Sequence, residues 1–315
     1  MSFTSDTRHE LARIPVERMS MAAAELSGAA LACGGLSLRG FGKYGLQIQT
    51  ESREILERHM AMLRRFFSID AAVSATRTDR LGGQEYFVLS IDGADVPRAA
   101  DQLKLMDEAQ PFGIRQSPEA SIIQSDNDKR AFLRGAFLVC GSVSNPERSY
   151  HLEFAQASET LAESICTLLR GYELPARLSR RKSQPIAYVK DAEAISTILA
   201  LMGASGAVMS LENTRAMKSV LNGVNRQLNC DNSNMDKVVA ASEKQISLIR
   251  TIEKRLGMDG MPDPLREIAE LRLQFPDASL TDLGEMLTPR LGKSGVNARM
   301  RKLEALAEDL VNGPG

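Results

Sequence analysis

Leu26-Ser-Gly-Ala-Ala-Leu-Ala-Cys-Gly34 recurs as Leu133-Arg-Gly-Ala-Phe-Leu-Val-Cys-Gly141, with the leucine, both glycines and the cysteine in register at an offset of 107 residues. A repeat at fixed offset means one supersecondary unit used twice. The segments after the two copies also match in kind. After the first come two alternating runs between Gly35 and Thr50, with Gly40 and Gly42 at the turn. A stretch from Ser52 to Phe67 then carries Ile55, Leu56, Met60, Leu63 and Phe66 at helical spacing. Strand-like runs from Ile69 to Thr76 and from Gln84 to Ile91 flank Gly82 and Gly83, and a helix is expected from Val96 to Met106. After the second copy, Ser142 to Phe154 reads as a hairpin turning near Asn145 and Pro146. Glu159 to Arg170 reads as a helix stopped by Gly171. Strands from Leu174 to Arg180 and Ile186 to Val189, then a helix from Ala192 to Met202, complete the unit. Each unit predicts α-β-β-α-β-β-α. The pair predicts one pseudo-twofold α+β domain, its repeats spanning 1–110 and 111–211.

Beyond Leu211 the pattern is helical. A connector is expected over 212–262, broken into two helices by the polar patch from Asn225 to Asn234 and ended by the breaker-rich run from Gly257 to Pro262. The last segment, 263–315, predicts an all-α domain. Asp263 and Pro264 are an N-cap acid and a first-turn proline. Leu265, Ile268, Ala269 and Leu271 to Leu273 supply the stripe of that helix. Ser279 with Asp282 three residues on reads as a capping box opening a second helix, in which Leu280, Leu283, Met286 and Leu287 face inward. A turn from Thr288 to Lys293 leads to Ser294 as N-cap of the third helix, striped by Val296, Met300, Leu303 and Ala307.

Bulk properties narrow the function. The chain has 315 residues and a net charge of −1, so it carries no polyanion-binding signature as a whole. Between Arg290 and Lys302, however, there are five basic residues and no acid. A helix with small and polar residues at its N-terminus and basic ones behind suits a major groove, its first turns reading base edges while Arg and Lys hold phosphates. The segment therefore reads as a helix-turn-helix. Its candidate DNA contacts are Ser279, Thr281, Arg290, Lys293, Ser294, Gly295, Asn297, Ala298, Arg299, Arg301 and Lys302. Candidate backbone contacts elsewhere are Arg177, Arg180, Arg181 and Lys182 on an expected hairpin, and Asn225 and Arg226 at an expected helix end. A solvated hairpin tip, and caps or a hinge between helices, account for these two groups equally well.

No apolar run reaches the roughly 18 residues a membrane span needs, and the polar N-terminus has no leader-like core. Four dispersed cysteines and three histidines give no zinc-ligand spacing. The expectation is a cytoplasmic, nucleoid-associated protein with reduced thiols and no metal or cofactor.

The tandem units, each opening on Leu-x-Gly-x-x-x-x-x-Gly, resemble the LAGLIDADG homing-endonuclease fold. The resemblance implies that the two repeated helices pack side by side at the pseudo-twofold axis. It also implies that an acid before the last glycine of each holds the metal ions that cleave DNA. Cys33 and Cys140 stand at those positions, and thiols are poor ligands for the hard cations this chemistry uses. Both centres are therefore expected to be dead. The two cysteines could form a redox or soft-metal pair, but small residues filling a tight helix contact is the favoured reading. His151, in an alternating run, is read as a paired structural histidine.

A degenerate endonuclease domain joined to a helix-turn-helix is similar to the WhiA family. The likeness rests on the repeats, on Leu133 to Phe137, on Gly141 to Glu153, and on Asn225-Arg226 and Asn229-Cys230. It rests also on Leu265 to Arg272 and Lys293 to Asn297. It implies a sequence-specific transcription regulator of sporulation or development with a role in cell division and chromosome segregation, binding promoter DNA and acting alongside a WhiB-type iron–sulfur regulator. An active endonuclease and a non-DNA interaction protein in cell division are the alternatives.

Overall fold

The structure, a computed structural model, describes residues 2–38, 44–77, 85–107, 110–156 and 158–313. The turns expected at Gly40 and Gly42 and at Gly82 and Gly83 lie outside these residues. The first repeat comprises α1 (Phe3–Leu11), α2 (Met19–Cys33), β1 (Gly34–Leu38), β2 (Tyr44–Thr50), α3 (Arg53–Phe67), β3 (Ala72–Arg77), β4 (Glu85–Asp92) and α4 (Asp95–Gln102). A small hairpin, β5 (Met106–Asp107) and β6 (Gln110–Ile114), comes next. The second repeat comprises α5 (Asp126–Cys140), β7 (Gly141–Val143), β8 (Leu152–Ala155), α6 (Glu159–Arg170), β9 (Arg177–Arg181), β10 (Gln184–Val189) and α7 (Ala192–Met202). The chain continues through α8 (Ser205–Leu256), α9 (Asp263–Gln274), α10 (Leu280–Met286) and α11 (Lys293–Asn312). These elements form two units, Met1–Met217 and Lys218–Gly315.

Within the first unit, α2 and α5 touch backbone to backbone. A Cβ on Gly28 would stand 2.3 Å from the carbonyl oxygen of Phe132, and one on Gly135 would stand 1.9 Å from that of Glu25. The two contacts are images of each other, because Glu25 and Phe132 are also separated by the repeat offset. Side chains on both helices are buried nearly all round, as expected where each helix has a sheet on one side and its twin on the other.

Each helix runs through its final glycine directly into the first strand of its own sheet. Both sheets are antiparallel and share one topology, β1-β2-β4-β3 and β7-β8-β10-β9. Alternation fixes the register: Leu46 faces Ile91 and Ile48 faces Leu89, and all four are buried. The α1 helix docks on the second repeat. There Thr4 Oγ1 donates to Val143 O at 2.7 Å and accepts from Val143 N at 3.0 Å.

One position breaks the symmetry. Glu25 is fully buried, whereas its counterpart Phe132 is an ordinary core residue. Arg58 Nε lies 2.6 Å from Glu25 Oε1, and Arg134 Nε lies 2.7 Å from Oε2. Arg58 also donates to Ala12 O and Ile14 O, and Arg134 to Met202 O. Burial pushes the Glu25 carboxyl up, but Arg134 and Arg58 outweigh it and hold it below the ordinary carboxylate value. His59, buried 3.9 Å from the same carboxylate, is driven down to about 4, chiefly by burial.

Three expectations need correcting. The helix after β4 ends at Gln102 rather than near Met106, because Lys104 takes a left-handed conformation (φ 50°) and Met106 pairs in β5. The polar patch from Asn225 to Asn234 does not break the connector: α8 runs unbroken through it. Asparagine is only a middling helix former, and the stretch contains no proline. Arg226 and Asn225 therefore stand mid-helix and exposed, neither capping nor hinging anything.

Two measurements test these contacts. Gly135→Val should cost at least about 2–3 kcal/mol in urea unfolding, since backbone blocks the new side chain. Gly35→Ala, with open space around it, should stay within about 0.5 kcal/mol of the parent. Because His59 has a folded pKa below its unfolded value, its contribution is intact above pH 6.5 and is lost as pH falls toward about 4. Unfolding free energy should drop by about 2 kcal/mol between pH 7.5 and 5.0. His59→Leu should flatten that slope, and an unchanged slope would remove His59 as its cause.

Candidate nucleic-acid interface

The second unit is organised by an apolar cluster to which four helices contribute. Ile249 and Ile252 from α8 meet Leu265, Ile268 and Ala269 of α9, Leu283 of α10, and Val296, Met300, Leu303 and Ala307 of α11. Met286, expected to face inward, is 44% exposed, because α10 has only seven residues and ends before Leu287 turns in. Gly284 lets the loop after α10 fold back: a Cβ there would meet Leu291 O at 2.0 Å, and Leu291 N donates to Gly284 O at 2.9 Å.

The turn between α9 and α10 is held from below by a cation. Arg272, on the apolar side of α9, is 2% exposed and donates to the carbonyls of Phe275, Pro276 and Ala278, the last at 2.6 Å. The sequence shows residue 272 only as a cation between two leucines, with no role attached. The signal for its burial is its position in phase with Leu265 and Ile268.

The sequence-predicted contacts divide into three groups. Ser279 is occupied as the cap of α10: its Oγ accepts from Asp282 N at 3.2 Å while Asp282 Oδ2 accepts from Ser279 N at 3.0 Å. The same pairing holds the Asp282 carboxyl below its ordinary value. Arg299 is turned inward, donating to Pro264 O at 3.1 Å and pairing with Glu267 at 3.4 Å. It fastens α11 to α9 and does not present its charge outward.

The remaining residues, Gly295 excepted, are exposed. Thr281 is the second residue of α10, Arg290 lies in the turn, and Lys293, Ser294, Asn297, Ala298, Arg301 and Lys302 lie along α11. At about 100° per residue, Ser294, Ala298, Arg301 and Lys302 fall opposite the buried Val296–Met300–Leu303–Ala307 stripe, and Asn297 lies on its flank. Gly295 is half-buried. Among the described residues, Arg290, Lys293, Arg301 and Lys302 form no ion pair with an acid. The cap of α11 is Gly292 rather than Ser294, so Ser294 sits one position inside the helix with its side chain at the surface, beside Lys293 and Asn297 in a shallow cleft.

The hairpin group is less open. Arg180 pairs with Glu159 and Arg181 with Glu153, although all of β9 is exposed and such pairs are weak. Lys182, at φ 59°, makes the turn. His151 contacts Glu153 at 3.0 Å and stacks on Tyr188.

At the pseudo-twofold axis, Cys33 and Cys140 open into a cleft whose described lining contains one carboxylate, Glu51. Among the described residues no group of three or more His, Cys, Asp or Glu side chains could hold a metal ion. Two thiols and one acid do not fit a hard divalent cation, which takes six or more oxygen ligands.

Two α-β-β-α-β-β-α repeats sharing a two-helix axis, followed by a capped helix-turn-helix, define an α+β body of LAGLIDADG type carrying a helical module. Comparison with known proteins agrees segment by segment. Residues 19–106 match the WhiA N-terminal LAGLIDADG-like domain, 129–221 the WhiA LAGLIDADG-like domain, and 224–307 the WhiA C-terminal HTH domain. The chain is 38% identical to the probable cell division protein WhiA of Alkaliphilus metalliredigens, covering 98% of each chain. It is 39% identical to that of Heliobacterium modesticaldum, covering 98% of this chain and 96% of the relative. The full-length DUF199/WhiA crystal structure from Thermatoga maritima aligns with a TM-score of 0.60 at 21% identity over 98% of both chains. The chain belongs to the WhiA family.

The role assigned to Arg272 has a direct check. Arg272→Met keeps the apolar stem but removes a shared donor from three carbonyls. Phe275 O keeps Ala278 N and Pro276 O keeps Ser242 Oγ, while Ala278 O is left without its partner. The change should cost about 1–3 kcal/mol in chemical denaturation of the full chain. A cost under about 0.5 kcal/mol would show that the turn holds without it.

Proposed function

We propose that this chain is a sequence-specific DNA-binding transcription regulator whose base readout comes from α11. The observation that carries the reading is the exposed face of α11, where Lys293, Arg301 and Lys302 surround Ser294, Asn297 and Ala298 with no acid among them. Small polar side chains near the N-terminus of a helix reach base edges, while flanking cations take phosphates. The free N-terminal amides of α11, which no side chain caps, add an anion-attracting end. Arg290 extends the same charge into the turn.

The family's naming as a cell division protein supports a role in division for this chain. Sporulation control, chromosome segregation, nucleoid association and a WhiB-type iron–sulfur partner are finer proposals that rest on the family resemblance. Among the described residues no helix is long and apolar enough to cross a membrane. The donor set at the pseudo-twofold axis supports a protein that does not cleave DNA.

Gel shifts on duplex fragments enriched from genomic DNA by the parent chain test the proposal. Arg301→Ala should weaken binding and lower the slope of log K against log salt by about one unit, the loss of one phosphate contact. Arg299→Ala should change the slope little, because Arg299 points inward. Equal affinities for parent and Arg301→Ala at two salt concentrations would remove Arg301 from the interface. Plasmid incubated with the protein and magnesium or manganese should stay intact, and metal-dependent cutting would overturn the non-catalytic reading.

A further inference from the structure

Cys33 and Cys140 each come five positions after their helix glycine, Gly28 or Gly135, so the backbone contact at those glycines brings the two sulfurs to the same level on the axis. The two thiols are near enough to perturb each other's titration in opposite directions. Cys33 Sγ also lies 3.9 Å from Val139 O, on the residue before its partner. Cys140 Sγ donates to Ala136 O at 3.0 Å and accepts from Gln156 Nε2 at 3.3 Å. Gln156 is itself fully buried, its Oε1 without a partner. Both cysteines are partly open to solvent and line one cleft together with Arg8. The guanidinium of Arg8 is pinned to Gly141 O at 2.6 and 3.1 Å, which fixes a positive charge beside the pair. Simple filling of a helix contact calls for neither the pinned arginine nor the buried amide.

We propose that Cys33 and Cys140 are a peroxide-sensitive dithiol that closes to a disulfide across the axis between the two repeats. Cys33 is the attacking sulfur. The neighbouring Cys140 thiol lowers its pKa most, and Arg8 lowers it further against the cost of burial. Cys140 is raised, first by its neighbour Cys33 and then by burial, and its proton is held on Ala136 O, so it stays a thiol until its partner has reacted. The Cys33 thiolate attacks one oxygen of hydrogen peroxide, breaking the O–O bond to give a sulfenic acid and hydroxide, which takes up the proton Cys33 had released. Cys140 then attacks the sulfenic sulfur. The S–S bond forms, the S–O bond breaks, and the hydroxyl leaves as water with the Cys140 proton. Two thiols and one peroxide yield one disulfide and two waters.

The experiment uses the full chain in a Cys230→Ser background, which removes the exposed thiol as a source of cross-links between molecules. After hydrogen peroxide treatment and alkylation, peptide mapping should find a Cys33–Cys140 cross-linked peptide that dithiothreitol reverses. The thermal midpoint should rise by roughly 5–15 °C, since the bridge closes a loop of more than a hundred residues. Cys140→Ser should stop at a sulfenic acid on Cys33 that a dimedone probe traps, and Arg8→Met should slow the parent reaction several-fold. The proposal is overturned if, in the protein with both cysteines, they remain fully alkylatable after peroxide or Cys33 over-oxidises while Cys140 stays a free thiol. The mapping arm does not depend on any substitution at the axis folding correctly.

Discussion

The architecture of the first unit depends on two reciprocal contacts, Gly28 on the carbonyl of Phe132 and Gly135 on the carbonyl of Glu25. A side chain at either glycine would push α2 and α5 apart. The consequence would not stay local, because each helix runs straight into the first strand of its sheet at Gly34 or Gly141. Separation of the helices would therefore separate the sheets. The close approach also fixes which residues meet at the axis beyond the glycines, so two cysteines far apart in sequence become neighbours.

Symmetry at the axis does not extend to charge. Glu25 carries a buried carboxylate where the twin helix carries Phe132, and the arginines that neutralise it come from α3 and from α5. A buried carboxylate with two guanidiniums is costly to desolvate, and replacement by apolar residues is often tolerated or even stabilising. Its value here is positional. Through Arg58 and Arg134, the carboxylate joins the loop after α1, the centre of both axis helices and the end of α7. Two nearly equivalent helices can slide to a neighbouring register, and a single unsymmetric charge cluster favours one arrangement.

Much of this fold is legible in sequence where local signals agree. Helices α6 and α7 have the boundaries read from Gly171 and from the Ala192–Met202 spacing. The two sheets follow the alternation, and Ser279 with Asp282 forms the capping box its spacing implies. The features that escape sequence reading depend on distance in the chain. Glu25 meets Arg134 across 109 residues, and Arg299 turns inward only because Glu267 and the Pro264 carbonyl wait there. The length of α8 is hidden because a polar patch looks like an interruption when its neighbours are unknown. Arg272 escapes notice because charge is taken as a sign of exposure, whereas loop carbonyls gathered at one guanidinium nitrogen can hold the cation in a buried place.

The inward turn of Arg299 sharpens the interface. Counting basic residues between Arg290 and Lys302 treats them as one patch, but packing sorts them by angle around α11. Arg299 lies about 70° from the centre of the buried stripe and is drawn into it, while Arg301 lies about 130° away and stays in solvent. The helix thus uses one cation to lock its angle against α9 and the others to face outward. A recognition helix needs both, because base readout is only as specific as the helix orientation is fixed. The capping box of α10 and the close approach at Gly284 serve the same end. They set where α11 begins, so that Ser294 and Asn297 stand at the surface in its first turns rather than being spent as caps.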